Sequence, residues 1–301
     1  MASYLDLFDK KSIKPSSKAL YAQKLLFLND AKPIHDLEFL IDVKQVLHRI
    51  SHFAPSTQRS YIIAIISLLK EVEGANATDL YNEYYELLEH FNKQLATNNS
   101  KTKKEIDNWT NQDEIKEKFN ELLTILAAIK GKHIIKQCEF NALLNLVILS
   151  LYVLLPPRRN LDYSCMMLGD GTDKAFNYLV PSKSKKHPNW IMKFNNYKTA
   201  GTYETQTIIV PDALKEILKV FLKFIPKNGF LLVDYDGVKL KGVNAITLIL
   251  NKIFCKRVGV GMLRKSYLTE KYSNFANDMK KDADAMGTSI EMVQNQYLKN
   301  D

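Results

Sequence analysis

Four short segments hold the side chains most able to do chemistry. The first, PPRRNLD (156–162), sets Arg158 and Arg159 directly after an apolar stretch, at the start of the next helix. A guanidinium stays charged and presents a planar fork of donors, which suits a phosphate. The free N–H groups of a helix start also favour an anion. The second, NNYKTAGTYETQTIIVP (195–211), puts Lys198 at a strand edge before a glycine-containing turn. An ammonium there can reach a groove or a leaving oxygen, as a point charge or a proton donor. The third, GVGMLRKSYLTEKY (259–272), is a glycine-rich approach to a helix that carries Arg264 near its start. The fourth, ADAMGTSIEMVQNQY (283–297), is a turn that holds Thr288 and caps a new helix bearing Tyr297. Each has an ordinary alternative: an ion pair with Asp162, a solubilising lysine on an edge strand, a surface arginine, a packing tyrosine on a terminal helix. Taken singly, the ordinary alternative is the stronger for each.

These segments need elements to position them. Residues 1–98 read as a small helical domain of four or so amphipathic helices. Leu20, Leu25, Leu26 and Leu28 form an apolar stripe after Ser16 and Ser17. LEFLIDVKQVLHRI (37–50) repeats apolar residues three and four apart, and Ala54 and Pro55 break it. Ser56 and Thr57 offer an N-cap for the helix that follows. Gly74 ends that helix, and another runs over about 78–95. The polar, basic stretch 99–110 reads as a linker. Residues 111–301 form the second domain. FNALLNLVILSLYVLL (140–155) is apolar nearly all round, so it is the central buried helix, stopped by Pro156 and Pro157. YLVP, NWIMKFNNYKT and YETQTIIVP are rich in aromatic and β-branched residues and read as short strands of a small antiparallel sheet. The expected class is mainly α with a small antiparallel β-sheet, α+β.

Composition narrows the function. The 301 residues, 46% hydrophobic, can bury a core. The longest apolar run, 142–155, is too short to cross a bilayer. The opening MASYLDLFDKK has no apolar core of a secretory leader. Three scattered cysteines (Cys138, Cys165, Cys255) argue against a disulfide framework or a zinc site and suit a reducing, intracellular setting. No metal or nucleotide motif is seen, so no cofactor is expected. The net charge of +9, from 42 Lys and Arg against 33 Asp and Glu, favours a polyanionic partner, nucleic acid first.

Taken together and in order, the four segments resemble the tyrosine recombinase (phage integrase) family, over roughly 17–297. PPRR resembles the box of its first arginine, YKTAG that of its hairpin lysine, and GMLRKSYLT its His-x-x-Arg helix. MGTS with Tyr297 resembles its closing His/Trp and tyrosine segment, with Thr288 nine residues before the tyrosine. The PPRR form is most similar to recombinases of eukaryotic mobile elements and large DNA viruses. The resemblance implies a helical core-binding domain and a catalytic domain that together clamp double-stranded DNA, and a homo-oligomer on that DNA. It implies DNA integration or recombination through a 3′-phosphotyrosine formed by Tyr297. Arg158 or Arg159, with Arg264, would hold the scissile phosphate, and Lys198 would protonate the leaving 5′ oxygen. The spacing to Asp162 favours Arg159; the place of PPR at the helix start favours Arg158.

Two departures bear on activity. The histidines are His35, His48, His52, His90, His133 and His187, and none follows His187. The histidine of His-x-x-Arg is therefore Gly261, and the later His or Trp is Thr288. Glycine has no side chain to donate or accept; threonine can donate a hydrogen bond but is no base. General acid–base help is worth about 10²–10⁴ in rate, so a weakened, DNA-binding recombinase fold is the alternative to an active enzyme. Only Leu298, Lys299, Asn300 and Asp301 follow the tyrosine, so an oligomer contact is expected elsewhere than in a helix beyond it.

Overall fold

Apolar spacing of three and four residues builds fifteen helices among the described residues, and short β-branched and aromatic runs build five strands. The computed structural model describes residues 6, 8, 11, 13–96, 100–182, 189–227, 229–242 and 244–293. The chain divides into two units, 1–100 and 101–301.

The first unit is all helix: α1 (Pro15–Leu28), α2 (Glu38–Ile41), α3 (Val43–Ile50), α4 (Pro55–Leu69) and α5 (Ala75–Ala96). The expected single helix over 37–50 is two. Asp42 takes a non-helical backbone conformation (φ −83°, ψ 86°) and its side chain accepts from Gln45 N, starting α3 afresh. Pro55 opens α4 at its first position rather than ending a helix, because the N–H it lacks would be unpaired there anyway. Tyr61, Ile62, Ile65, Leu68 and Leu69 of α4 bury against Leu25, Leu28, Leu40, Ile50 and Tyr84.

The second unit contains α6 (Lys103–Asn108), α7 (Gln112–Leu123), α8 (Ile125–Ala128), α9 (Gln137–Val153), α10 (Asn160–Ser164), β1 (Met166–Leu168), β2 (Asn177–Val180), β3 (Ile191–Phe194), α11 (Ala200–Tyr203), β4 (Gln206–Ile209), α12 (Asp212–Phe221), β5 (Gly229–Phe230), α13 (Ala245–Phe254), α14 (Val260–Ala285) and α15 (Ile290–Met292). The basic stretch expected as a linker is therefore partly structured. Thr102 and Glu105 close a capping box on α6, Glu105 pairs with Lys265, and Asn108 Oδ1 accepts from Arg257 N at 2.9 Å. These bonds tie 101–110 to the second unit.

α9 is the buried centre, as its all-round apolar pattern requires. Phe140 through Tyr152 contribute ten buried residues, and Ser150 satisfies its hydroxyl on Leu146 O at 2.6 Å. The sheet order is β4-β3-β2-β1-β5. It is mixed rather than wholly antiparallel, because β1 pairs parallel with β2 (Met166↔Asn177) while the other three pairs are antiparallel. Three-residue β1 is short enough for a small loop to return the chain to the same end. Its only sequence signal, MML, is too brief to show a period.

Candidate active site

The end of α9 and the two prolines deliver the arginine pair. Leu155 is buried, Pro156 and Pro157 stop the helix, and Arg159 is the extended N-cap of α10. α10 has only five residues, so little of the anion preference of a longer helix start is available.

The two arginines have different surroundings. Arg158 is engaged by four neighbours. Its Nε donates to Asp162 Oδ2 at 2.9 Å and its NH1 to Gln206 Oε1 at 2.8 Å. Its guanidinium lies 3.9 Å from the Phe194 ring centre and 5.0 Å from that of Tyr197. The Arg158 side chain is 15% exposed and that of Asp162 3%. Burial pushes the Asp162 carboxyl above its ordinary value, against the opposing pull of Arg158. Its second oxygen, Oδ1, has no hydrogen-bond partner. Arg159 is half-buried, lines the adjoining cleft, and among the described residues makes no side-chain hydrogen bond or ion pair.

Arg264 reaches the same cleft from α14, about 100 residues later in the chain. Its helix is seated by Leu263, 1% exposed, and by Ser266, whose hydroxyl accepts from Gln112 Nε2 at 3.0 Å. The cleft, of about 300 Å³, is lined by Arg158, Arg159, Arg264, Tyr197, Thr199 and Tyr203 among others. A second hollow of about 310 Å³ shares Arg159 and Arg264 and is bounded by Leu161, Thr247 and Gly261. A Cβ added at Gly261 would meet nothing within 4 Å outside its own helix backbone.

Lys198 lies in the β3–β4 connection, exposed, between two cleft-lining residues, Tyr197 and Thr199. The connection is braced. Tyr197 donates its hydroxyl to Glu204 O at 2.7 Å, Glu204 holds a left-handed backbone (φ 55°), and Thr205 donates to Asn195 Oδ1 at 3.1 Å. Asn177 of β2, 2% exposed, ties this connection to α10. Its Nδ2 donates to Asp162 O and Asn196 O, and its Oδ1 accepts from Asn195 N and Asn196 N, all at 2.8–2.9 Å. Asn160 adds a bond from α10 to Thr247 of α13 at 2.9 Å. Sequence patterns missed Asn177 and Gln206, since a lone amide within a strand run carries no spacing signal.

Thr288 is not brought to the cleft. It sits in the turn after α14, which ends at Gly287 (φ 66°), and its N–H returns to Ala283 O. Ala283 is nineteen residues beyond Arg264 on one continuous helix, about 28 Å of rise. The expected cap is present: Ser289 Oγ accepts from Met292 N as α15 begins. Tyr297 lies outside the described residues. Among the described residues, no group of three or more His, Cys, Asp or Glu could hold a metal ion, and no helix is long and apolar enough to cross a membrane.

No protein-family model and no curated protein matches the chain. Among solved structures, the chain is similar to one described as the crystal structure of XerA recombinase, at 14% identity and a TM-score of 0.35. The match covers 99% of this chain and 94% of that one.

Proposed function

We propose that this chain breaks and rejoins DNA as a recombinase of the tyrosine type, acting on double-stranded DNA as a homo-oligomer, inside the cell wherever DNA is accessible. The observation that carries the reading is the convergence of Arg159 and Arg264 on one cleft with no protein partner among the described residues. Two guanidiniums that make no side-chain hydrogen bond or ion pair among the described residues and line one small hollow are a ready site for the two non-bridging oxygens of a phosphodiester. Arg159 is the phosphate arginine in this reading, and Arg158 positions it by holding Asp162 and the strand behind it. Lys198, beside the cleft, protonates the leaving 5′ oxygen, and Tyr297 attacks phosphorus to give the 3′-phosphotyrosine. The phenol loses its proton and the 5′ oxygen gains one, so the step is neutral overall and the bond energy is kept for rejoining. The PPRR form is the ground for placing the activity with mobile elements or large DNA viruses.

A second reading, DNA binding without cleavage, is favoured by two observations. The position of the expected histidine is Gly261, where nothing lies within 4 Å of an added Cβ, and Thr288 follows the end of α14, beyond Ala283, itself about 28 Å along the helix from Arg264. Incubation with nicked suicide substrates drawn from a random library separates the two. A denaturation-resistant adduct that Tyr297→Phe abolishes supports the enzyme. Salt-sensitive DNA retention without an adduct supports the binding protein.

A further inference from the structure

Of the three cysteines, Cys138 and Cys255 are exposed and Cys165 is partly buried. Accessibility alone would leave Cys165 the slowest of them to react. Its neighbours give it a different chemistry. Cys165 ends α10 and leads directly into β1, with its N–H returned to Tyr163 O. Its Sγ accepts from Lys239 Nζ at 3.1 Å and from the Ser164 hydroxyl at 3.8 Å. It is the cysteine whose sulfur meets a lysine amine at hydrogen-bond distance among the described residues.

Lys239 is held in place on both sides. Its Nζ stands 4.5 Å from the centre of the Phe230 ring, and Phe230 of β5 pairs with Met167 of β1. Its backbone bridges to Val233 across a tight turn, in which Asp234 N donates to Val238 O at 2.8 Å and Asp234 Oδ1 accepts from Asp236 N and Val238 N. Leu231 N also donates to Met166 O at 2.8 Å, so the strand before the turn and the strand after the cysteine are one piece of sheet. Among the described residues Lys239 makes no ion pair, so no carboxylate competes with the sulfur for its amine.

We propose that Cys165 and Lys239 form a peroxide-responsive site that closes into a covalent sulfur–nitrogen link. Reactive cysteines are those that are partly exposed beside a cation, and sulfur reacts as the thiolate. The Cys165 thiolate attacks one oxygen of hydrogen peroxide and the O–O bond breaks. The departing hydroxide takes a proton from the Lys239 ammonium and leaves as water, so a sulfenic acid and a neutral amine now stand side by side. The amine attacks the sulfenyl sulfur, the S–O bond breaks, and the hydroxyl leaves with an amine proton as a second water. Sulfur gives up two electrons and the peroxide is reduced to water. A sulfenic acid condenses in this way with a nearby backbone nitrogen, and here the nitrogen at hand is the lysine's. The link fastens the end of α10, the helix that Arg159 caps, to the turn after β5. It does not depend on what the arginine cleft binds.

The test uses the full chain, treated with one equivalent of hydrogen peroxide, and maps unreduced peptides by mass. A Cys165–Lys239 peptide pair lighter by two hydrogen atoms than its parts, and split by a thiol reductant, is expected. Lys239→Arg keeps the charge but removes the amine. It should abolish the linked pair and leave a sulfenic acid at Cys165 that dimedone captures. Lys239→Met removes both, and capture at Cys165 should fall below that at Cys138 and Cys255, the order that exposure sets. The linked pair is read in wild type, so a variant that fails to fold cannot produce it. Absence of the linked pair from wild type, or oxidation of Cys165 there more slowly than of the two exposed cysteines, overturns the proposal. A linked pair heavier by one oxygen atom overturns the direct sulfur–nitrogen bond and supports the site.

Discussion

Removing Arg158 tests whether the two adjacent arginines divide structure from chemistry. Arg158→Met leaves Asp162, 3% exposed, with neither carboxylate oxygen paired by a side chain. Breaking a buried pair by deleting one partner costs about 3–5 kcal/mol. Loss of the stacking on Phe194 adds to this, and the methionine chain partly refills the space. The double variant Arg158→Met/Asp162→Leu removes both charges and should return to within about 1 kcal/mol of wild type. The two tryptophans, Trp109 and Trp190, are both in the second unit, so urea unfolding followed by their fluorescence reads that unit alone. The pH dependence has a definite sign. The folded carboxyl of Asp162 titrates above 3.8, so folding takes up protons in that window and its ionised form loses stability as pH rises. Arg158 pulls that value down, so without it the cost should be greatest near neutral pH and shrink as pH falls. A cost under about 1 kcal/mol at neutral pH, or one that does not change with pH, would refute the anchoring role and return Arg158 to the list of phosphate ligands.

The other predictions address the cleft. Arg159→Ala and Arg264→Ala should each slow adduct formation about 10²–10³-fold while shifting unfolding by less than about 0.5 kcal/mol; a large loss of stability in either would mark it as structural. Lys198→Ala should slow cleavage of ordinary DNA but not of a substrate whose 5′ leaving group is a thiolate, which needs no proton; equal loss on both would remove Lys198 from that role. A Cβ at Gly261 meets nothing within 4 Å, and Gly261→His should raise the cleavage rate about 10²-fold and favour the helix by roughly a few tenths of a kcal/mol. No gain in rate would show that this position does not face the reacting phosphate. Asn177→Asp sets a second acceptor against the carbonyls of Asp162 and Asn196 and should cost about 1–3 kcal/mol or more by the same tryptophan assay; a neutral result would deny it the tie between α10 and the lysine connection.

How far the sequence reaches depends on the range of the interaction involved. α9 is legible because its apolar residues run all round the helix and only a buried helix tolerates that. The turn at Gly287 and the cap at Ser289 are legible because both act within a few residues. So is the order of arginine, lysine and arginine segments. The break at Asp42 was hidden by an apolar spacing that continues through it, and the first residues of α6 read as linker because Glu105 finds its partner, Lys265, far along the chain. The ambiguity of Arg158 and Arg159 is of the same kind. Adjacent residues of one type look alike in sequence, and only packing shows that, of two arginines lining one cleft, Arg158 is held by Asp162, Gln206 and Phe194 while Arg159 makes no side-chain hydrogen bond among the described residues. The separation of Thr288 from Arg264 is likewise tertiary. A spacing of residues fixes no distance until the chain between them is known to run straight, and the stretch of α14 from Arg264 to Ala283, which has neither proline nor glycine, converts nineteen residues into about 28 Å.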